Sequence, residues 1–175
     1  RQLPIFKRSL LLVSSDMIIT KPIPETLAEI GLAHGASVID SRTFVHYYRT
    51  TEDGRLMLGK GGNTFAFANR MMPVFDQPSP YEAILKRTLD RFFPAEDMPI
   101  ERSWNGASDR SVSGFPFFGE LPDKKNIFYG LGYSGNGVVQ TFLGGEILAA
   151  LVLGLENDWS SCALVNAPIQ RFPVE

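Results

Sequence analysis

Apolar and polar positions along the chain fall mostly into short runs of strand character, with helical spacing only in a few segments. Ser9 to Thr20, rich in Leu, Val and Ile, predicts a strand, and Lys21-Pro22-Ile23-Pro24 ends it. Pro24 then opens a short helix, because Glu25 to Ile30 holds good helix formers with a carboxylate in the first turn and Gly31 at the C-terminal cap. Val38 to Arg49 and Arg55 to Gly59 predict two strands joined through Thr50-Thr51-Glu52-Asp53-Gly54, an Asp-Gly hairpin turn. On the first of them Phe44, His46 and Tyr48 share one face and Val45, Tyr47 and Arg49 the other. An aromatic on each face places that strand between two layers. Gly59, Gly61 and Gly62 end the second strand, either as a bulge or tight bend or to leave room for a flat ligand.

Ser79-Pro80-Tyr81-Glu82 reads as a capping box with proline at the first helical position. Tyr81, Ile84, Leu85, Leu89, Phe92 and Phe93 then form an apolar stripe opposite Lys86, Arg87, Asp90 and Arg91, and Pro94 stops the helix. Its use is to cover one face of a sheet. Ile100 to Asn105 and Phe115 to Phe118 predict further strands, and Pro122-Asp123-Lys124-Lys125 turns the chain into Ile127. The stretch on which the rest converges is Asn126 to Gly154. Ile127 to Tyr129 has strand composition, and Gly130, Gly132, Gly135 and Gly137 form a glycine-dense turn. Apolar positions 138, 139, 142, 143, 147, 150 and 151 then keep helical spacing as far as Gly154. Such a turn ends at a helix N-terminus, whose first N–H groups lack partners and favour an anion or an electron-rich oxygen. Glu156 to Glu175 has little periodicity.

Composition narrows the function classes. A net charge of -2 with both signs dispersed gives no basic stripe, so no nucleic acid partner is expected. Cys162 is the single cysteine; it excludes an internal disulfide and a cysteine-based metal site, and fits a reducing, cytoplasmic setting. Two histidines without nearby carboxylate spacing give no metal site. The apolar run Ile147 to Leu153 is far below the ~20 residues of a membrane span, so no membrane is expected. The N-terminal RQLPIFKRSLLLVSS lacks a convincing cleavage site for a signal peptide, and the chain reads as a piece of something longer.

Gly130, Gly132 and Gly135 match GxGxxG literally, but a doubly wound nucleotide fold needs several more strand and helix units after the motif, and the segment beyond Gly154 has none of that pattern. A ligand contact in another fold, or a structural glycine turn, remains. Trp104-Asn105-Gly106, Asp109-Arg110-Ser111, Gly114-Phe115-Pro116-Phe117-Phe118-Gly119, Asn126 to Tyr129 and Gly132 to Val138, taken in that order, resemble the C-terminal half of the FAD-dependent amine and amino-acid oxidases. That family includes D-amino-acid oxidase, glycine oxidase, sarcosine oxidase and the γ-glutamylputrescine oxidases. His46 to Arg49 with Asp53-Gly54-Arg55 and Gly59 also resembles its substrate-domain hairpin, so the likeness runs from about Leu10 to Leu164.

The resemblance implies that Gly132, Tyr133, Ser134, Gly135, Asn136, Gly137 and Val138 meet the flavin's pyrimidine edge, where fixed N–H dipoles favour the charge of a reduced flavin. It implies an N-terminal FAD-binding half that this chain lacks, and hence FAD binding that is weak or absent here. An arginine that pairs with the substrate carboxylate of α-amino acids would fall at Ser108, which favours a larger amine; Arg110 serves only if the loop differs. Asp109 pairs with a substrate ammonium or caps a turn, and Tyr48 is the choice for a substrate-cavity wall. His46 reads as a core or rim residue and Trp104 as a packing anchor. No cysteine follows Trp104, so the FAD is non-covalent; Met57 stands where an oxygen-activating lysine would, with Lys60 on the opposite face.

The expectation is therefore an α+β fold: a mostly antiparallel sheet, a covering amphipathic helix and a long buried C-terminal helix. It forms one region, 1–175, a substrate domain plus a flavin-contacting segment at about 100–155. No catalytic residue is identified. The whole protein is expected to oxidise a C–N bond of a small amine or amino acid by hydride transfer to FAD. The rival is a non-catalytic ligand-binding or assembly module. A chain separated from its partner half would expose apolar surface and could self-associate.

Overall fold

Strand alternation along the first two-thirds of the chain is realised as one five-stranded sheet in the order β2-β3-β4-β1-β5. Its strands are β1 (Leu10–Thr20), β2 (Ser37–Ile39), β3 (His46–Thr50), β4 (Leu56–Phe65) and β5 (Ile100–Ser111). The pairings β1–β4, β2–β3 and β3–β4 are antiparallel. A two-stranded antiparallel sheet follows, made of β6 (Phe117–Glu120) and β7 (Phe128–Leu131), and among the described residues three α-helices accompany the sheets: α1 (Pro24–Glu29), α2 (Glu82–Phe92) and α3 (Gly137–Leu153). This is the expected α+β class. The structure, a computed structural model, describes residues 3–66, 70–94 and 96–173. It divides into two compact units, Val13–Ala107 and a second made of Arg1–Leu12 with Ser108–Glu175.

In the first unit the register decides what is core. Tyr48 lies opposite Leu58, and Leu58 opposite Ile18, so one row crosses three strands on one face. Leu27 of α1, Leu85 and Leu89 of α2, and Met98 close over it, all at 2% exposure or less. Each such side chain contributes about 1.5–3 kcal/mol on leaving water. The next row has the opposite parity: Tyr47, Gly59 and Met17 are cross-strand partners on the other face, followed by Arg49, Met57 and Ile19. Every side chain of these two rows is half-buried or exposed, and among them stands Gly59. Its missing side chain is required, since a Cβ there would come within 2.2 Å of Met17 Sδ and 2.4 Å of the Tyr47 ring. Tyr47 is held over the glycine by the 2.8 Å hydrogen bond between its hydroxyl and that of Ser15.

Several expectations are corrected. The run from Val38 to Arg49 is not one strand but β2 and β3, because the Asp40 carboxylate accepts the backbone N–H groups of Arg42 and His46 and folds the chain back between them. Gly59, Gly61 and Gly62 do not end β4, which continues to Phe65; Gly62, with φ +78°, sits where the register against β1 shifts, between Val13 and Ser15. The capping box does not form. Ser79 Oγ donates to Asp16 (2.6 Å) while accepting the Tyr81 N–H, and Glu82 accepts the Ser103 hydroxyl, so α2 begins only at Glu82. Ile84 is exposed, and Thr88 takes its place on the buried stripe with its hydroxyl bonded to the Ile84 carbonyl. β5 extends to Ser111, beyond the expected end at Asn105. The C-terminal segment is not featureless, because residues 164–166 bond to Phe118 as a parallel bridge beside β6.

The C-terminal helix is present, but its burial is one-sided. Within α3 only Gly144, Ile147 and Ala150 are buried, whereas Val138, Val139, Phe142 and Leu153 face outward. Its apolar positions surround the axis, and the two-stranded sheet covers only one side of it.

Asp16 lies fully buried on the helix-covered face. Its carboxylate is satisfied by the hydroxyls of Ser14 (2.7 Å) and Ser79 and by the Asn63 amide (2.9 Å), which ties β1 to β4 and to the start of α2. Asp16→Ala strands these donors and lowers stability by about 3 kcal/mol, read by urea unfolding. A loss within about 0.5 kcal/mol would show that water replaces the carboxylate.

Candidate functional site

β7 delivers the chain to the turn Gly132–Asn136, and α3 starts directly behind it. Three residues of this turn have positive φ: Gly132 (83°), Ser134 (54°) and Gly135 (87°). Two are glycines, for which the region is open; Ser134 is not, and a non-glycine residue there costs about 1–2 kcal/mol. What holds it is a set of bonds from the end of β5. Asp109 accepts the Gly132 N–H at 2.8 Å with one carboxylate oxygen and the Ser134 N–H at 3.1 Å with the other. Arg110 donates to the Ser134 carbonyl. The Ser111 N–H donates to Ser134 Oγ at 3.0 Å, and that hydroxyl, 3% exposed at the residue level, donates to the Gly132 carbonyl.

This divides the turn's amides into two groups. Gly132 and Ser134 are used by Asp109, and Asn136 by the Tyr133 carbonyl. The N–H groups of Gly135, Gly137 and Val138 have no acceptor among the described residues. Gly137 and Val138 open the first turn of a 17-residue helix, with its partial positive charge, and Gly135 lies just before the N-cap. Asn136, the N-cap, makes no side-chain cap bond. Val138 is 94% exposed and Gly135 and Asn136 are exposed, so the donors are accessible. A Cβ at Gly135 would approach the Arg110 guanidinium at 3.2 Å. The arrangement suits a flat, electron-rich ligand edge offering oxygen or nitrogen acceptors.

The seven turn residues singled out in the sequence are contiguous here, yet their uses differ. Tyr133 turns its ring inward, edge-on to Phe118 at 6.1 Å and with its hydroxyl against Gly144 of α3. Burial pushes its phenol above the ordinary value, and the Asp109 charge adds to the shift. Tyr133 thus supports the turn from below. Of the two uses weighed for Asp109, capping a turn is the one on display. Tyr48 lies on the helix-covered face, tilted against Phe92 and edge-on to Phe93, and the same strand presents Tyr47 to the other face.

Tyr48 does line an open cleft of about 320 Å³, together with Val38, Asp40, His46 and Phe93. His46 is buried at its rim, with Nδ1 3.0 Å from Asp40 Oδ2 and 2.9 Å from an Arg42 nitrogen. Burial raises the Asp40 pKa, but hydrogen bonds from Arg42 and His46 and the His46 charge outweigh it, leaving the carboxyl below the ordinary value. His46 is thus a buried histidine whose Nδ1 is satisfied by its neighbours, in line with the core or rim reading. Lys60 is bonded to Asn63 and to the Gly61 carbonyl. Trp104 lines a shallow cleft with Ile19, Arg55 and Glu101, where Arg55 bridges Asp53 and Glu101. Among the described residues no group of His, Cys, Asp and Glu can hold a metal, and no helix is long and apolar enough to cross a membrane.

Sequence reasoning missed the bracing use of Arg110 and Ser111, although the succession of three polar residues at the end of a strand was visible. It also missed the Asp16 cluster, whose partners come from its own strand and from two distant segments.

The candidate site is thus a strand, a braced glycine turn and a helix N-terminus carried by a mostly antiparallel α+β fold. The chain belongs to the FAD dependent oxidoreductase family, whose model matches residues 1–151. It is 30% identical over 148 residues to a probable oxidoreductase OrdL of Haemophilus influenzae, covering 84% of this chain and 31% of that protein. It is 31% identical over 160 residues to the gamma-glutamylputrescine oxidoreductase of Escherichia coli K12, covering 91% of this chain and 34% of that one. The chain thus spans about a third of the length of these relatives. In fold it is similar to a glycine oxidase from Geobacillus kaustophilus, with TM-score 0.67, 19% identity, and coverage of 95% of this chain and 40% of that one. A fructosyl peptide oxidase from E. terrenum gives TM-score 0.70 at 14% identity, with 95% and 42% covered.

Ser134 supplies a direct check on the turn. Ser134→Ala keeps the unfavourable φ and leaves the Ser111 N–H buried without its acceptor, so stability falls by about 1–3 kcal/mol in chemical denaturation. Ser134→Gly relieves the φ and loses less. Equal losses for the two variants would contradict the assignment of strain to Ser134.

Proposed function

We propose that this chain is the substrate-wall and flavin-edge part of an FAD-dependent oxidoreductase that oxidises a C–N bond of an amine or amino acid. The observation that carries the reading is the row of open amides at Gly135, Gly137 and Val138, at the N-terminus of α3. Those amides fit the group: a flavin's pyrimidine edge offers acceptors, and glycine at 135 and 137 leaves the donors unobstructed. When bound, FAD supplies the two-electron acceptor for the hydride that leaves the carbon beside the amine nitrogen. The chain's own contribution is orientation and fixed positive potential. Open N–H groups hold the ring edge, and the helix dipole favours charge there without any reorganisation at the moment of reaction.

For the substrate, the half-exposed sheet face of Tyr47, Met17, Met57 and Ile19 is the proposed cavity wall, in place of Tyr48, which packs on α2. Its thioethers and aromatic ring adapt to an alkyl amine. Ser108, where the resemblance to α-amino-acid oxidases would put a carboxylate-binding arginine, supports an amine whose reacting carbon bears no carboxylate. Asp109 has both oxygens engaged by the turn, so the substrate ammonium is left to other groups of the whole protein. A cytoplasmic setting accords with the one, unpaired cysteine, Cys162.

Anaerobic mixing of the full-length, flavin-loaded protein with a panel of amines and amino acids tests the reaction. At least one amine bleaches the yellow flavin absorbance, and amines without an α-carboxylate do so faster than α-amino acids. No bleaching by any of them sinks the reading. This chain by itself binds FAD weakly, since the turn engages only the ring edge; a preparation of it that purified yellow would contradict that.

A further inference from the structure

The turn's geometry is imposed from outside it. Three consecutive residues at the end of β5 each bind Ser134 or its neighbour by a different group: Asp109 through both carboxylate oxygens, Arg110 through its guanidinium, Ser111 through its backbone N–H. Together they satisfy the N–H, the carbonyl and the hydroxyl of Ser134, a residue that would otherwise leave the left-handed region. The consequence is selective. The Asp109 carboxylate takes up the amides of Gly132 and Ser134, which fixes the plane of the peptide before each, while Arg110 on the Ser134 carbonyl fixes the peptide that carries the Gly135 N–H; Gly135, Gly137 and Val138 are among the donors left open.

We infer that Asp109 and Arg110 are positioning residues for the cofactor edge: they act through the turn, setting which amides point out, rather than through contact with substrate. The inference rests on the flavin reading of the turn given above. It runs against the simplest electrostatic expectation. A carboxylate beside a helix N-terminus lowers the local positive potential, so if Asp109 acted by charge alone, removing the charge would make a bound flavin easier to reduce. As a brace it has the opposite effect, because a loosened turn no longer presents a fixed set of donors. Charge and brace act in the same direction for Arg110, whose loss removes both a cation and the bond to the Ser134 carbonyl. The two residues therefore separate the explanations.

The test uses Asp109→Asn and Arg110→Lys in the full-length flavin-loaded protein, with two readouts: amide hydrogen exchange of the turn and the midpoint potential of the bound flavin. Asparagine keeps one acceptor oxygen of the two, so at least one of the Gly132 and Ser134 amides exchanges about tenfold faster or more, the equivalent of one lost hydrogen bond. The flavin potential moves to more negative values in both variants. A potential that rises in Asp109→Asn overturns the positioning role in favour of charge. Unchanged exchange shows that the brace is absent. Faster exchange with an unchanged potential in both variants overturns the inference at its other foundation, by showing that the braced turn does not meet the flavin. Arg110→Lys keeps the charge, and so carries the test alone if Asp109→Asn does not fold.

Discussion

The left-handed conformation of Ser134 is the constraint on which the C-terminal unit depends. Backbone at φ 54° is unfavourable for a serine, and it persists because every polar group of that residue has a partner. Two links follow from it. The chain reverses between β7 and α3 tightly enough for the Tyr133 ring to tuck against Phe118 and Gly144, which seats the helix on the two-stranded sheet. The helix then begins with its first donors open instead of folded back on a capping side chain. Strain, packing and an available set of amides are thus one arrangement.

The other unit shows how a sheet acquires two unlike faces. The register that aligns Tyr48, Leu58 and Ile18 sends all three beneath α1 and α2, and the same register sends Tyr47, Met57 and Met17 to the opposite side. With a period of two, no side chain can serve both faces. Gly59 marks the point where the part-exposed face is shaped by its neighbours' rings and thioethers rather than by its own side chain. The polar end of the helix-covered face, where Asp16 gathers Ser14, Ser79 and Asn63, fixes the start of α2 at Glu82.

Local chemistry was legible in the sequence where it is decided locally. Pro24 and Gly31 bracket α1, the Asp-Gly turn joins β3 to β4, and the glycine turn passes into α3, all near the expected bounds. The misses have a common physical cause, which is competition from distant partners. Ser79 has the composition of a capping residue, but Asp16, far away in sequence, claims its hydroxyl. Asp40 breaks what reads as one long strand by accepting two backbone N–H groups. Burial of α3 was overestimated because apolar spacing reports what a helix can bury and not how much neighbouring structure the chain supplies. Of the candidate site, the turn itself could be read from its glycines and the seven residues follow from the family resemblance, but the division of their amides into open and engaged could not be read, since it depends on where β5 ends. The choice of Tyr48 rests on the face it shares with His46, and what alternation along one strand does not tell is that this is the face packed against α2.

The central claim is that the open amides of this turn receive the flavin's ring edge. The most direct measurement is a crystal structure of the full-length, flavin-loaded protein, read at the backbone nitrogens of Gly135, Gly137 and Val138. The account predicts at least one of them within hydrogen-bonding distance, about 2.7–3.2 Å, of an acceptor on the flavin's pyrimidine ring. Finding all three bonded to protein or solvent, with the ring held elsewhere, would contradict it.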